Sequence, residues 1–155
     1  MVCVVYFKAT KLQLAKIHRS LRNSLRECAY EWGVMEKLIL IVDDSNTNLF
    51  IAKNMLCDDY QVITLSSAEK MFAFLKKIKP DLILLDIEMP GMDGFEALEL
   101  LKADKPDIPV IFLTVMNDSK MEARGLQLGA VDFLYKPLSK STLLERIKPH
   151  ITNKV

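Results

Sequence analysis

Five residues able to do chemistry stand where short apolar runs end. Leu38–Val42 is followed by Asp43-Asp44, Leu82–Leu85 by Asp86, and Val110–Leu113 by Thr114; Val131–Leu134 is followed, one residue on, by Lys136-Pro137. Brought together, the three carboxylates repel, and one holds a proton unless a cation offsets them. An all-oxygen acidic cluster suits a hard divalent ion such as Mg2+, which takes one or two carboxylates together with waters and phosphate oxygens. A carboxylate beside Mg2+ can attack a phosphoryl donor and form an acyl phosphate. A lysine and the metal stabilise charge on the transferred group, and a threonine hydroxyl donates to one of its oxygens. Taken singly, each aspartate would be an ordinary loop carboxylate capping the helix that follows.

The elements between these residues decide whether they meet. From Lys37 onward, apolar runs alternate with amphipathic stretches, the runs being the four above and Gln61–Leu65. The runs at 38–42, 82–85 and 110–113 are almost continuous in Ile, Leu and Val, the pattern of strands buried on both faces. Helices are predicted over Asn46–Leu56, Ser67–Ile78, Gly94–Ala103, Ser119–Leu128 and Ser139–His150, with Ser67 and Ser139 as N-caps and Gly129 as a stop. Five strand–helix units in succession predict an α/β fold, a doubly wound parallel sheet with helices on both faces. In such a sheet all carboxyl ends share one edge, and ligands bind there where strand order reverses. The three carboxylates, the hydroxyl and the ammonium should therefore converge in one crevice.

Composition narrows the class. Half of the 155 residues are apolar and 26% are charged, as in a globular domain, and the net charge of +1 offers no global field for nucleic acid or a membrane. The charge is unevenly spread. Residues 1–34 carry six Lys/Arg against two Glu, whereas residues 35–155 carry fifteen Lys/Arg against eighteen Asp/Glu. Cys3, Cys28 and Cys57 show no paired spacing, so neither a disulfide framework nor a zinc site is expected, and a reducing cytoplasm is. No apolar run approaches the length of a membrane span.

Four segments, in this order, resemble the receiver domains of response regulators. They are Ile41-Val42-Asp43-Asp44-Ser45, Pro80 through Gly94 (PDLILLDIEMPGMDG), Pro109-Val110-Ile111-Phe112-Leu113-Thr114, and Gly129 through Pro137 (GAVDFLYKP). The resemblance runs from about Glu36 to His150. It implies a five-stranded flavodoxin-like sheet of order 2-1-3-4-5, with the residues before it as an extra N-terminal helical segment. It further implies that Asp86 is the phosphoacceptor and that Asp44 and Asp86 bind Mg2+ with the backbone carbonyl of Glu88. Asp43 would support the metal through its waters, and Lys136, joined to Pro137 by a cis peptide, would pair with the phosphate. Thr114 would move toward the phosphate, and Phe133 would swing inward as the switch aromatic, a position where many receivers carry Tyr. Glu88 and Met116 occupy the two positions that tune dephosphorylation in this family.

The implied partners are a sensor histidine kinase or phosphotransfer protein upstream, and an effector protein or effector domain downstream. Direct contact with nucleic acid is not expected, and a homodimer remains open. Such a domain catalyses its own phosphorylation and autodephosphorylation without turning over an external substrate. One rival is an aspartate-nucleophile phosphatase with Glu88 as acid/base, but the glycine-rich and cap segments of such enzymes are lacking. The other is a pseudo-receiver, which usually lacks one of the acidic residues or the lysine that this chain keeps. Two units are expected: a basic amphipathic extension at 1–34 and a receiver domain at 35–155. Leu14, Ile17, Leu21, Leu25, Cys28 and Trp32 fall on one helical face of the extension. It reads either as a docking or dimerising helix, or as non-native or upstream-translated sequence with Met35 as the natural start. The chain stops just after its last predicted helix, as a stand-alone receiver or a piece of a longer regulator would.

Overall fold

The computed structural model describes residues 37–105 and 107–151. The helix expected at 11–32, and the extension at 1–34 that contains it, lie outside the described residues. Five strands, β1 (Leu38–Val42), β2 (Gln61–Leu65), β3 (Leu82–Asp86), β4 (Val110–Thr114) and β5 (Asp132–Tyr135), alternate with five helices. These are α1 (Asn46–Leu56), α2 (Ala68–Leu75), α3 (Gly94–Asp104), α4 (Ser119–Gln127) and α5 (Lys140–Ile147), followed by a 3-10 turn at Lys148–His150. The sheet has the order β2-β1-β3-β4-β5, and every pairing is parallel. This is the expected flavodoxin-like fold.

Strand alternation sends side chains to two separate cores. Ile39, Ile41, Leu82, Leu84, Ile111 and Leu113 pack against Leu49, Ala52 and Leu56 of α1 and Leu143 and Ile147 of α5. Leu40, Val42, Ile83, Leu85, Val110 and Phe112 pack on the other face against Met71 and Leu75 of α2 and Leu98 and Leu101 of α3. Central strands are therefore apolar up to their last residue, and β3 and β4, which end in Asp86 and Thr114, are buried throughout. The edge strand β2 has no fully buried residue. Register aligns the strand ends: Val42 lies beside Leu85, Asp86 beside Leu113, and Thr114 beside Tyr135.

Side-chain caps start the helices. Ser67 accepts from the Lys70 amide and Ser139 from the Thr142 amide, as expected, while Ser45 and Asp118 cap α1 and α4. Asp93 and Glu96 form a reciprocal capping box at the start of α3. The helix expected to reach Leu128 ends one residue earlier, at Gln127, and two other predicted helices exceed the observed ones by more than that. The helix expected to reach Ile78 stops at Leu75, the last residue that anchors it in the core; Ile78 is 45% exposed and Pro80 follows. The helix expected to reach His150 becomes the 3-10 turn after Ile147, where Pro149 brings a residue without an amide hydrogen. The last strand begins at Asp132 rather than Val131.

The most constrained packing lies beside Asp86. The Gly94 amide donates to the Ile87 carbonyl at 2.9 Å, latching the first residue of α3 onto the chain that leaves β3. A Cβ at Gly94 would meet the Asp86 carbonyl oxygen and lie 2.7 Å from the Ile87 Cα. Both obstacles are backbone and cannot rotate away. Gly94→Ala is therefore expected to destabilise the domain by about 1–3 kcal/mol through forced backbone movement, read as a lower urea midpoint at unchanged slope.

Candidate functional site

The carboxyl edge of the sheet collects the polar residues. Asp86 and Thr114 are the last residues of β3 and β4, and both are buried. Asp43 directly follows β1 and is fully buried, while its neighbour Asp44 is exposed. Lys136, one residue past β5, reaches back across the edge. Its Nζ donates to Asp43 Oδ2 at 2.7 Å and to Asp86 Oδ1 at 2.8 Å. The Lys136-Pro137 peptide is cis, as the resemblance implied.

Asp43 is held from several sides. Its Oδ1 accepts from the Ser45 amide at 2.8 Å, and the Asn48 side-chain amide reaches both of its oxygens at 3.2 Å. A buried carboxylate needs such partners, because an unpaired one would carry its full desolvation penalty. A groove of about 490 Å³ opens above, lined by Asp44, Asn48, Asp86, Glu88, Val115, Lys136 and Pro137. Carboxylate oxygens of Asp43, Asp44 and Asp86 all lie within 4.8 Å of one another.

The electrostatics follow from this crowding. Burial pushes the Asp86 carboxyl up to about 6; the hydrogen bond and charge of Lys136 oppose that, and the charges of Asp43 and Asp44 reinforce it. Burial pulls the Lys136 ammonium down, but its hydrogen bonds and charge pairing with Asp43 and Asp86 outweigh this and leave it raised, so it is protonated at neutral pH. Three carboxylates against one ammonium leave the pocket short of positive charge. Their hard oxygens fit a small divalent cation such as Mg2+.

Asp43, Asp44, Asp86 and Lys136 thus meet in one cluster. Thr114 ends the neighbouring strand, where its Oγ1 accepts from the Met116 amide at 3.0 Å. A hydroxyl that accepts still carries its own proton to donate. Glu88 is exposed at the groove, and Met116 is 42% exposed beyond it. Phe133 lies elsewhere: it is buried in the core beneath the sheet's α2–α3 face, its ring centroid 5.3 Å from that of Phe112. Sequence reading missed Asn48 and the second duty of Ser45. The available signal was a short amide residue one turn into the helix that begins behind Asp43.

The sequence pattern of the response regulator receiver domain matches residues 39–148. A probable cyclic di-GMP phosphodiesterase of Vibrio cholerae is 39% identical over 118 residues, covering 75% of this chain and 27% of the relative. The alkaline phosphatase synthesis transcriptional regulatory protein PhoP of Bacillus subtilis is 36% identical over 115 residues, covering 74% of this chain and 48% of PhoP. The solved chemotaxis protein CheY4 of Vibrio cholerae superposes with a TM-score of 0.71 at 28% identity, covering 75% of this chain and 98% of CheY4. The fold and the site define a receiver, a domain phosphorylatable on aspartate in two-component signalling. The chain belongs to the response regulator receiver domain family. It spans about a quarter to a half of the length of the curated relatives it matches. No helix among the described residues is long and apolar enough to cross a membrane.

Lys136→Met removes the one cation that, among the described residues, touches both buried carboxylates. Breaking a buried pair from one side costs about 3–5 kcal/mol. The loss should be larger at pH 7.5 than at pH 5. Asp86 in the folded chain binds a proton between its ordinary 3.8 and about 6, a window that widens upward without Lys136, so folding is favoured at the acid end and penalised as pH rises through it. Urea unfolding of both proteins in chelator at the two pH values measures this.

Proposed function

We propose that Asp86 accepts the phosphoryl group and that the fold's carboxyl edge is a self-phosphorylating switch. The observation that carries this is Lys136 Nζ seated between Asp43 and Asp86 at the base of a groove rimmed by Asp44. An Asp86 carboxylate oxygen attacks the phosphorus of a phosphohistidine or small acyl-phosphate donor. The new P–O bond to Asp86 forms as the bond to the leaving nitrogen or oxygen breaks, and the leaving group departs with that electron pair. Lys136, already within hydrogen-bond reach of Asp86, follows the charge onto a phosphoryl oxygen while Asp43 keeps it in place. Thr114 donates a hydrogen bond from its hydroxyl to another phosphoryl oxygen. Asp44 and Asp86, with the Glu88 backbone carbonyl, would hold Mg2+, and Asp43 would support it through its waters. When bound, the ion neutralises charge on the phosphoryl oxygens.

In this reading Thr114 and Phe133 carry the switch to the face built from α4, β5 and α5, where an effector protein or effector domain responds. A sensor histidine kinase or phosphotransfer protein is the donor, and the domain acts in the cytoplasm on itself. The functional unit is 35–155, with 1–34 as a separate extension. The transcriptional regulator among its relatives supports an output through a further domain.

Incubation with Mg2+ and acetyl phosphate should add one phosphoryl group to the intact mass. The adduct should be labile to hydroxylamine and absent from Asp86→Ala. A wild type that binds Mg2+ but gains no mass from acetyl phosphate or from a phosphorylated histidine protein would make the chain a pseudo-receiver. Mg2+ affinity should also fall by up to about tenfold per pH unit below about 6, because the ion competes with the proton held by Asp86. Isothermal titration between pH 5 and 7.5 checks this, and a flat profile would place the ion away from Asp86.

A further inference from the structure

Three phenylalanines form a continuous row between the loop after Asp86 and β5. Phe95, the second residue of α3, has its ring centroid 5.1 Å from that of Phe112 at an interplanar angle of 57°. Phe112, in the middle of β4, is fully buried, and its ring lies 5.3 Å from that of Phe133 on β5 at 44°. Tilted rings at such distances attract one another beyond their area burial.

Both ends of the row are tied down. At one end the Gly94 amide holds the Ile87 carbonyl, and a Cβ at Gly94 would strike the Asp86 carbonyl oxygen. Phe95 therefore cannot hold its position if the backbone at Asp86 moves. Along the row α4 makes contact with two consecutive residues, Gly125 at Phe133 and Phe112 and Arg124 back at Phe95. A Cβ at Gly125 would lie 2.5 Å from Phe133 Cζ and 3.0 Å from Phe112 Cε2, so the helix approaches this closely only because it carries glycine there. The next contact is charged: the Arg124 guanidinium carbon lies 4.6 Å above the centre of the Phe95 ring. Close-packed interiors shift between discrete arrangements more readily than they stretch.

We propose that Phe95 is a positioning residue that couples the Asp86 loop to α4 and Phe133 through Phe112 and Arg124, by a route that does not pass through Thr114. The proposal deepens the reading of Asp86 as phosphoacceptor, adding a second line of communication to the same output face.

Two measurements on the full chain decide it. The first needs no phosphoryl group: unfolding equilibria of Phe95→Leu, Phe133→Leu and the double variant. Coupling should make the double variant depart from additivity by about threefold or more in the unfolding constant; additive effects overturn the proposal. The second follows backbone amide NMR signals as Mg2+ and beryllofluoride, a phosphoryl mimic, are added. In Thr114→Val the Gly125 and Leu126 signals should still move, by at least about a third of the wild-type shift, and adding Phe95→Leu should abolish that remainder while Ile87 and Gly94 still respond. Loss of the α4 response in Thr114→Val alone overturns the relay. Unmoved Ile87 and Gly94 signals in the wild type would instead count against Asp86 as acceptor. The relay is then judged by whether the shift that Asp86→Asn produces at Gly125 disappears with Phe95→Leu.

Discussion

One ammonium between two buried carboxylates governs the geometry of this edge. Lys136 comes from the chain after the last strand, Asp43 from the chain after the first, and Asp86 from the end of the third, so their contacts join segments 50 and 93 residues apart. None of the three could be buried alone, because an unpaired charge in this setting costs several kcal/mol. The arrangement therefore requires strands β1, β3 and β5 to end at the same level, as the observed sheet order and register allow. Asn48 and the Ser45 amide complete the shell of Asp43. They hold that carboxylate turned inward, leaving Asp44 and Asp86 to face the groove.

The same contacts explain why the pocket is reactive as well as stable. Burial pushes the Asp86 carboxyl up to about 6 against the pull of Lys136, and the charges of Asp43 and Asp44 add to the rise. Such a carboxyl is mostly ionised at neutral pH yet lies close to its protonated form. It gains from an arriving cation and from any change that lets Lys136 turn to a second anion. A site that depends on Lys136 for its cohesion is thus perturbed whenever that lysine is recruited elsewhere.

Much of this was legible in sequence. Near-continuous Ile, Leu and Val at 38–42, 82–85 and 110–113, broken only by Phe112, marked the central strands, because a strand covered on both faces tolerates such a run. Once those runs were strands, the polar residues behind them had to share an edge. The parallel α/β class and the convergence of Asp43, Asp44, Asp86 and Lys136 followed from that, whereas the strand order 2-1-3-4-5 came from the resemblance to receiver domains. Helix ends were less legible. Lys76–Lys79 continues a plausible helical pattern, but it lacks a buried anchor beyond Leu75, and burial is a tertiary property. Asn48 offered only its type and position: an asparagine in a first turn reads as a cap, and its reach to Asp43 depends on how α1 leaves β1. The aromatic row was also hidden, since Phe95, Phe112 and Phe133 sit on three different elements and only packing brings their rings together.

That row also bears on why Phe serves at position 133. A tyrosine there would carry a hydroxyl that needs a partner whenever the ring is buried. The ring here is 7% exposed, with its Cζ pressed toward Gly125, so the atom that would bear the hydroxyl points at the backbone of α4. Glycine at 125 and phenylalanine at 133 are therefore one structural choice: the helix can come this close only if neither residue adds an atom at the contact. Closeness in turn puts Arg124 over Phe95, at the start of the helix latched to Asp86's own strand end. A small displacement at the acidic pocket then has little slack to absorb it before it reaches α4, whereas a looser pairing, with a side chain at 125 and a hydroxyl at 133, would leave the two ends of the domain free to move separately.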